Sequence, residues 1–447
     1  MIKKEKNRKF NLKIKSKDID PGALLIVKRL SDSGYEALVV GGCIRNLVMG
    51  EEAHDWDITT SATPKEISRA FKGYKVVPVG EKYGTIMVVI KAVNYQVTTF
   101  RGKDKLKGIE ETEVAKWTSL LLEDLKHRDF TINTLVWVEK EGVLDYFKGL
   151  EDIKRRVIKG VEDPSERIKE DPLRMLRAIR LSCELDFKID KAVLQAIEKN
   201  SPLIKKVSQE RIRDELIKIL LSNFPKKGIQ LLHQLGLLKF ILPEIESAVG
   251  FYDEGNYKGK DLFSYILDMA DNLSQDLALR LSILLHDIEK SQPFHSKREI
   301  TDRILHRLRF KNSLIKKINV LIRENWQKAD FSSKKNIRQL ISRVGVENIL
   351  SILELKKNYM MVNKSADTLR QIDNIEKEIR KVLQEIPPLS LKDLALTGQD
   401  LKGLGYPEGK KVGQVLKELL NIVLEEPALN QKKRLLAWVK SERPPGS

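Results

Sequence analysis

Cysteine is nearly missing from this chain. Two residues, Cys43 and Cys183, stand far apart with no Cys/His cluster around either, which argues against a zinc module and for a reducing compartment. No run of about 18 apolar residues occurs, so a membrane-spanning helix is not expected. The basic start "MIKKEKNRKFNLKIKSKDID" has no apolar segment behind it, which argues against a secretory leader and for a cytoplasmic location. Self-similarity at a period of about 20 to 50 residues is also lacking, and with it a solenoid. Acid is in deficit too: 63 Asp and Glu face 81 Lys and Arg, a formal charge of +18 spread along the length. A surface of that sign suits a phosphate-built partner, though an inert basic surface has the same composition.

What is present is an ordinary supply of core: 41% hydrophobic residues in 447, enough for two to four domains. Between Pro21 and Leu150 helix and strand signals alternate. "GALLIVKRLSDSG" has helical spacing, "YEALVVGG" is a strand, "GTIMVVIKAV" and "YQVTTFR" form paired strands, and "TLVWVEKEGVLDYF" forms a hairpin turning near Gly142. After Gly160 strand signals fade and apolar residues recur at helical spacing, as in "LRMLRAIRLSCELDF" and "LALRLSILLHDIEK". From Lys297 to Arg343, fourteen Lys/Arg stand against four Asp/Glu. Such a run is either a solvated helix face or a backbone-binding surface.

The stretch "ALVVGGCIRNLVMG" takes an apolar strand into Gly41-Gly42 and then a helix closing near Gly50. Glycines let a phosphate approach the backbone, a helix start offers unpaired N–H donors, and Arg45 adds a charge, so the outline is a triphosphate cradle. A tight strand-to-helix turn gives the same pattern. Downstream, "HDWDITT" places Asp55 and Asp57 at i and i+2, which in a strand project from one face while Trp56 turns to the core. Two convergent acids hold two Mg²⁺, the usual device of nucleotidyl transfer: one ion lowers the pKa of the attacking hydroxyl and the other neutralises the triphosphate.

Taken together, "VVGGCIRNLVMG", "HDWDITTSATP", "RDFTIN", "LDYFKGLEDI" and "EDPLRMLRAIRL", in this order, resemble the class II tRNA nucleotidyltransferases, the bacterial CCA-adding enzymes with their A-adding, CC-adding and poly(A) polymerase relatives. The resemblance covers roughly residues 22 to 220. It implies an α+β protein, with a nucleotidyltransferase α/β head built on a small mixed sheet and elongated all-helical neck, body and tail domains that grip tRNA. The matching divisions are a basic segment 1–20, head 21–160, neck 161–222, body 223–343 with an HD-like motif, and tail 344–447. The implied substrates are tRNA, ATP and CTP. Within "HRDFTIN", the resemblance assigns Arg128, Asp129 and Asn133 to ribose recognition and the nucleotide pocket, while Asp145 and Asp152 couple head to neck.

"KEDPLRMLRAIRL" suggests a protein template for a base. Cytosine and adenine each offer an exocyclic amino donor beside a ring-nitrogen acceptor, whereas uracil and guanine offer a ring N–H there. A carboxylate at Asp171 beside the guanidinium of Arg174 complements the first pair and opposes the second, with Glu170 holding the arginine fork and Arg177 one turn further along. A capped helix with an i,i+3 ion pair is the plainer reading. In "TGQDLKGLGYPEGKKVGQVL", Lys410 and Lys411 at a helix start are expected to seat an RNA phosphate.

Three positions depart from the commoner family pattern: Asn46 where many relatives have Asp, His127 where Arg is usual, and Gln96 where a third carboxylate often sits. Asp55 and Asp57 are expected to carry the ions without it. Four rival readings follow. An A-adding enzyme would work beside a separate CC-adding one; the long charged connection after Arg101 resembles the loop of full CCA enzymes without its Arg-Pro pattern. For a poly(A) polymerase, "VGEKYGTIMVV" lacks the expected basic-aromatic cluster. A non-catalytic RNA-binding protein would not need both acids. "LLHDIEK" suggests a metal-dependent phosphohydrolase, yet "DLFSYILDMADNL" offers Tyr265 where that chemistry needs a histidine.

Overall fold

The computed structural model describes residues 13–80, 84–100, 113–254, 257–292, 296–324, 326–363, 368–385, 387–407 and 409–442. The start of the basic N-terminal segment and residues 101–112 of the charged connection lie outside the described residues. The chain divides into two compact units, residues 1–208 with 234–237, and residues 209–233 with 238–447. The boundary at Ser208 cuts through the expected neck, whose last helix, Gln209–Leu221, belongs to the second unit.

The first unit holds a seven-stranded sheet. Its strands are β1 (Ala37–Val40), β2 (Asp57–Thr60), β3 (Lys75–Gly80), β4 (Thr85–Ile90), β5 (Val93–Thr99), β6 (Val136–Val138) and β7 (Gly142–Leu144), in the order β3-β4-β5-β2-β1-β6-β7. One pairing, β2 with β5, is parallel and the others are antiparallel, so the sheet is mixed. All four β1 residues are buried, as a central strand covered on both faces requires. Leu38 and Val40 pack with Leu121 and Leu125 of α4 (Glu113–Lys126), while α1 (Pro21–Asp32) runs along the same strand.

Short helices join these strands. α2 (Gly42–Val48) follows β1 directly, and α3 (Pro64–Ala70) opens on a capping box between Thr63 and Glu66. After the sheet in sequence come α5 (Gly149–Arg155), α6 (Pro164–Glu170), α7 (Arg174–Leu185) and α8 (Lys191–Asn200), with a two-residue parallel pair of β8 (Val157–Ile158) and β9 (Lys188–Ile189). Gly149 is fixed by packing, since a Cβ there would lie 2.3 Å from the Thr131 carbonyl oxygen.

The second unit is helical among its described residues. Its internal ties include Arg280, which donates to the carbonyls of Leu220, Ser222 and Leu273, and Arg338, which donates to those of Leu424 and Glu425. Both side chains are buried and satisfy helix-end carbonyls that would otherwise lack partners. A separate apolar cluster around Leu396, Leu401, Leu419 and Val423 forms the core of the tail. Among the described residues, no helix is long and apolar enough to cross a membrane.

Candidate active site

Strand register builds the acidic side of the site. Val40 pairs with Asp57 across β1 and β2, so Asp57 opens its strand beside the point where β1 turns into α2 at Gly41. On its other flank Asp57 pairs with Gln96 of β5. Gly41 has φ +94°, a conformation costly for any residue with a Cβ. A Cβ there would also lie 2.9 Å from Arg128 Nη1 and 3.2 Å from Asp57 Oδ2. Glycine thus serves the close approach of Asp57 and Arg128 to the turn. The Gly41 N–H donates to the Leu135 carbonyl at 3.0 Å, so the amides that can face an anion start at Gly42.

The strand argument for the acid pair needs correcting. Asp55 precedes the strand on a bend and is exposed, whereas Asp57 is half-buried at the strand's first position. Trp56 between them is buried, as expected, and pins the segment. Burial pushes the Asp57 carboxyl above its usual range; Arg128 and Arg177 pull it down, and Asp55 pushes it up again. Gln96 is exposed and adds no charge. No cluster of three metal-ligating side chains occurs among the described residues. Cys43, beside Asp57, has its thiol pushed up to about 12 by burial and then by that carboxylate, which makes it inert.

A second set of residues forms a continuous chain of hydrogen bonds. Arg45 donates through Nε and Nη2 to Asn46 Oδ1 (3.1 and 2.8 Å) and through Nη1 to Asn133 Oδ1 (2.6 Å). Asn133 Nδ2 donates to Asp129 Oδ1 at 3.0 Å, and Arg177 Nε reaches Asp129 Oδ2 at 2.7 Å. Burial alone would raise the Asp129 carboxyl, but Arg177, Asn133 and the Phe130 amide together hold it well below the usual carboxylate range. Arg45 is buried in this chain, where it braces α2 against the Thr131–Asn133 turn beside Gly42. Asn46, singled out only as a departure, is the residue that grips it.

The residues expected to read the base lie at the α6–α7 junction. α6 ends at Glu170, and Asp171 Oδ1 accepts from the Leu173 amide at 3.2 Å, so the carboxylate caps the turn that leads into α7. Arg174 donates from Nη1 to the Arg167 carbonyl (2.8 Å) and Glu170 Oε2 (3.2 Å), and from Nη2 to the His127 carbonyl (3.0 Å). Glu170 thus holds the fork, as expected, and the last bond ties the fork to the end of α4. Below this, Asp145 accepts from the Gly149 and Leu150 amides at the start of α5, and Asp152 accepts from the Thr131 hydroxyl at 2.7 Å.

In the second unit, Lys410 and Lys411 open the helix Lys410–Glu425 after Gly409 (φ +112°), and both are exposed. Much of the basic run from Lys297 to Arg343 is spent on internal pairs. Arg307 binds Glu244 through both Nη atoms at 2.7 Å, while Lys297, Lys334, Lys335 and Arg343 meet Glu289, Glu385, Glu425 and Glu324. The HD-like pair is likewise internal: Asp287 meets His286 Nδ1 at 2.6 Å, with Lys290 and Lys297 3.6 and 3.7 Å away. Two ammonium groups supply the positive charge there, and Tyr265 lines the same small cavity.

Comparison with known proteins agrees with this layout. Family models match in three stretches: a poly A polymerase head domain at residues 37–159, a probable RNA and SrmB-binding site of polymerase A at 186–249, and a tRNA nucleotidyltransferase domain 2 at 294–439. The CCA-adding enzyme of Ligilactobacillus salivarius is 31% identical over 419 residues, 94% of this chain and 95% of that one. That of Pediococcus pentosaceus is 32% identical over 422 residues, 93% and 96% of the two chains. Among solved structures, the Bacillus stearothermophilus CCA-adding enzyme in complex with CTP aligns with a TM-score of 0.74 at 26% identity, covering 94% of this chain and 98% of that one. With relatives aligned over nearly all of both chains, this protein belongs to the CCA-adding enzyme family of tRNA nucleotidyltransferases.

Proposed function

We propose that this enzyme completes the tRNA 3′ end with C, C and A, transferring nucleotides from CTP and ATP and releasing pyrophosphate. The observation that carries the reading is the register of Val40 with Asp57, which sets that carboxylate against the glycine turn and Arg128. Addition of the whole CCA, rather than the terminal A alone, rests on the name that the near-full-length relatives share.

Two Mg²⁺ ions would be held by Asp55 and Asp57. The donors fit: both are carboxylate oxygens, and desolvation makes the Asp57 anion one that gains from a cation. Bound there, the metal supplies an activated 3′-hydroxyl and charge neutralisation at the leaving pyrophosphate. The chain's own residues do the positioning. The turn at Gly41 and Gly42 lets the triphosphate approach the backbone, and Arg128 adds a guanidinium at the same turn. Asp129, kept ionised, and Asn133 define the ribose side.

Base choice falls to Asp171 and Arg174. Three of the five Arg174 N–H donors are spent on Arg167, Glu170 and His127. The remaining Nη2 hydrogen and Nε–H face the base with a fixed fork. A ring-nitrogen acceptor meets the Arg174 donors while the flanking amino group donates to the Asp171 carboxylate; a ring N–H leaves donor against donor.

The test is addition to three tRNA transcripts ending at the discriminator base, at C and at CC, with CTP or ATP. The expected result is CTP addition to the shorter two, one A on the last, and then a stop. Labelling of the CC-ended transcript alone would identify an A-adding enzyme that needs a partner, and unlimited A addition would identify a poly(A) polymerase.

A further inference from the structure

Glu170 is about half exposed (51%), and a glutamate at that exposure paired to one arginine holds it loosely, because solvent screens the pair and both side chains give up rotamer freedom. Here its two oxygens go to different arginines. Oε2 takes Arg174, and Oε1 takes Nη1 of Arg167 at 2.7 Å. Both arginine side chains are only 10–11% exposed, so the carboxylate is clamped from the buried side. Arg167 contributes a second time through its backbone, since its carbonyl accepts Arg174 Nη1 at 2.8 Å. That carbonyl also accepts the Asp171 amide at 3.3 Å, the residue that would present the acceptor half of the template.

We propose that Arg167 is a positioning residue for nucleotide choice: it fixes Glu170 from beneath and, through its carbonyl, the spacing of Arg174 from Asp171. This rests on the reading of Asp171 and Arg174 as the base template. Arg167 is placed here as a residue that acts through Glu170 and Arg174. It acts by removing freedom from a fork whose two remaining donors must meet a base edge within a few tenths of an ångström, a tolerance that one exposed ion pair does not provide. Charge on Arg167 matters here as well as its length, because the Glu170 carboxylate is shared between two forks and each bond polarises the other.

The test measures kcat/KM for ATP and for GTP on a tRNA transcript ending in CC, with the intact enzyme, R167M, R167K and R174A. R167M keeps most of the buried stem and removes the fork. The expected result is a fall of about tenfold or more in the ATP:GTP ratio for R167M with a melting temperature close to that of the parent, and partial recovery in R167K. A folded R167M that keeps the parent ratio overturns the proposal. R174A separates the two levels: a ratio lost in R174A but kept in R167M leaves the template standing and removes Arg167 from it, whereas a ratio kept in R174A removes the template itself. Should R167M fail to fold, R167K is compared alone and in an E170Q background. Losses that do not add support a shared path through Glu170, and losses that add overturn it.

Discussion

Asp57 and Asp129 both face the same nucleotide pocket in this account, yet their surroundings drive them in opposite directions. Asp57 has burial working against its charge and arginines only partly offsetting it, so its carboxyl sits high. Asp129 is more enclosed but is met by Arg177, Asn133 and a backbone amide, so its carboxyl sits low. The difference separates two kinds of functional residue. One side is left electrostatically incomplete and gains from a cation arriving with the substrate; the other is completed in advance by the protein and can act as a rigid gauge. A variant on the first side should lose chemistry while keeping the fold, and a variant on the second should lose both.

The largest expected effect is on the incomplete side. Asp57→Asn should lower transfer by about a thousandfold, the several kcal/mol a positioned metal supplies. Its melting temperature should stay level or rise, because a poorly solvated charge is removed; a scanning melt beside a single-turnover assay checks both. Next comes Asp129→Asn, which leaves Arg177 without its carboxylate and should cost about 3 kcal/mol, less to the extent that Arg177 is 37% exposed. Urea unfolding reads it directly. Gly41→Ala comes third: its positive φ should cost about 1–2 kcal/mol. Because the new Cβ would displace Arg128 and Asp57, activity should fall further than stability.

The opposite shifts also give opposite pH behaviour. Asp57 has a raised folded pKa, so its contribution to stability is present in acid and is lost as pH rises through that value. Metal binding, which needs the anion, weakens as pH falls through it. Asp129 contributes stability above the ordinary aspartate value of 3.8 that is lost only as pH falls below it. Mn²⁺ titration across an acid series should therefore lose affinity above pH 3.8 while the fold persists. The smallest effect is Gln96→Glu. Placed in register with Asp57, a new carboxylate should raise Mn²⁺ affinity severalfold.

Much of this layout was legible because short-range rules decide it. Gly41-Gly42 after an apolar strand, the hairpin at Gly142 and the Glu170 grip on Arg174 all depend on neighbours within a few residues. Partners far apart in sequence were the hidden part. Arg45 is bonded to Asn133, 88 residues later, a partner its local sequence does not announce. The basic run loses its cations to glutamates as distant as Glu425, and nothing local announces that. Strand β3 carries Pro78, which masks its signal, and the β8–β9 pair is too short to show a period. Asp55 and Asp57 have strand spacing, but Trp56 anchors the segment before the strand begins, so alternation does not govern the pair.

The central claim, that the acids serve transfer while the braced residues serve choice, is tested most directly by equilibrium binding of CTP, ATP and UTP to the Asp57→Asn variant. The account predicts that preference for CTP and ATP over UTP survives within about twofold although transfer is gone. Loss of that preference along with transfer would contradict the division, because the acid pair would then be shaping the template as well as holding the metal.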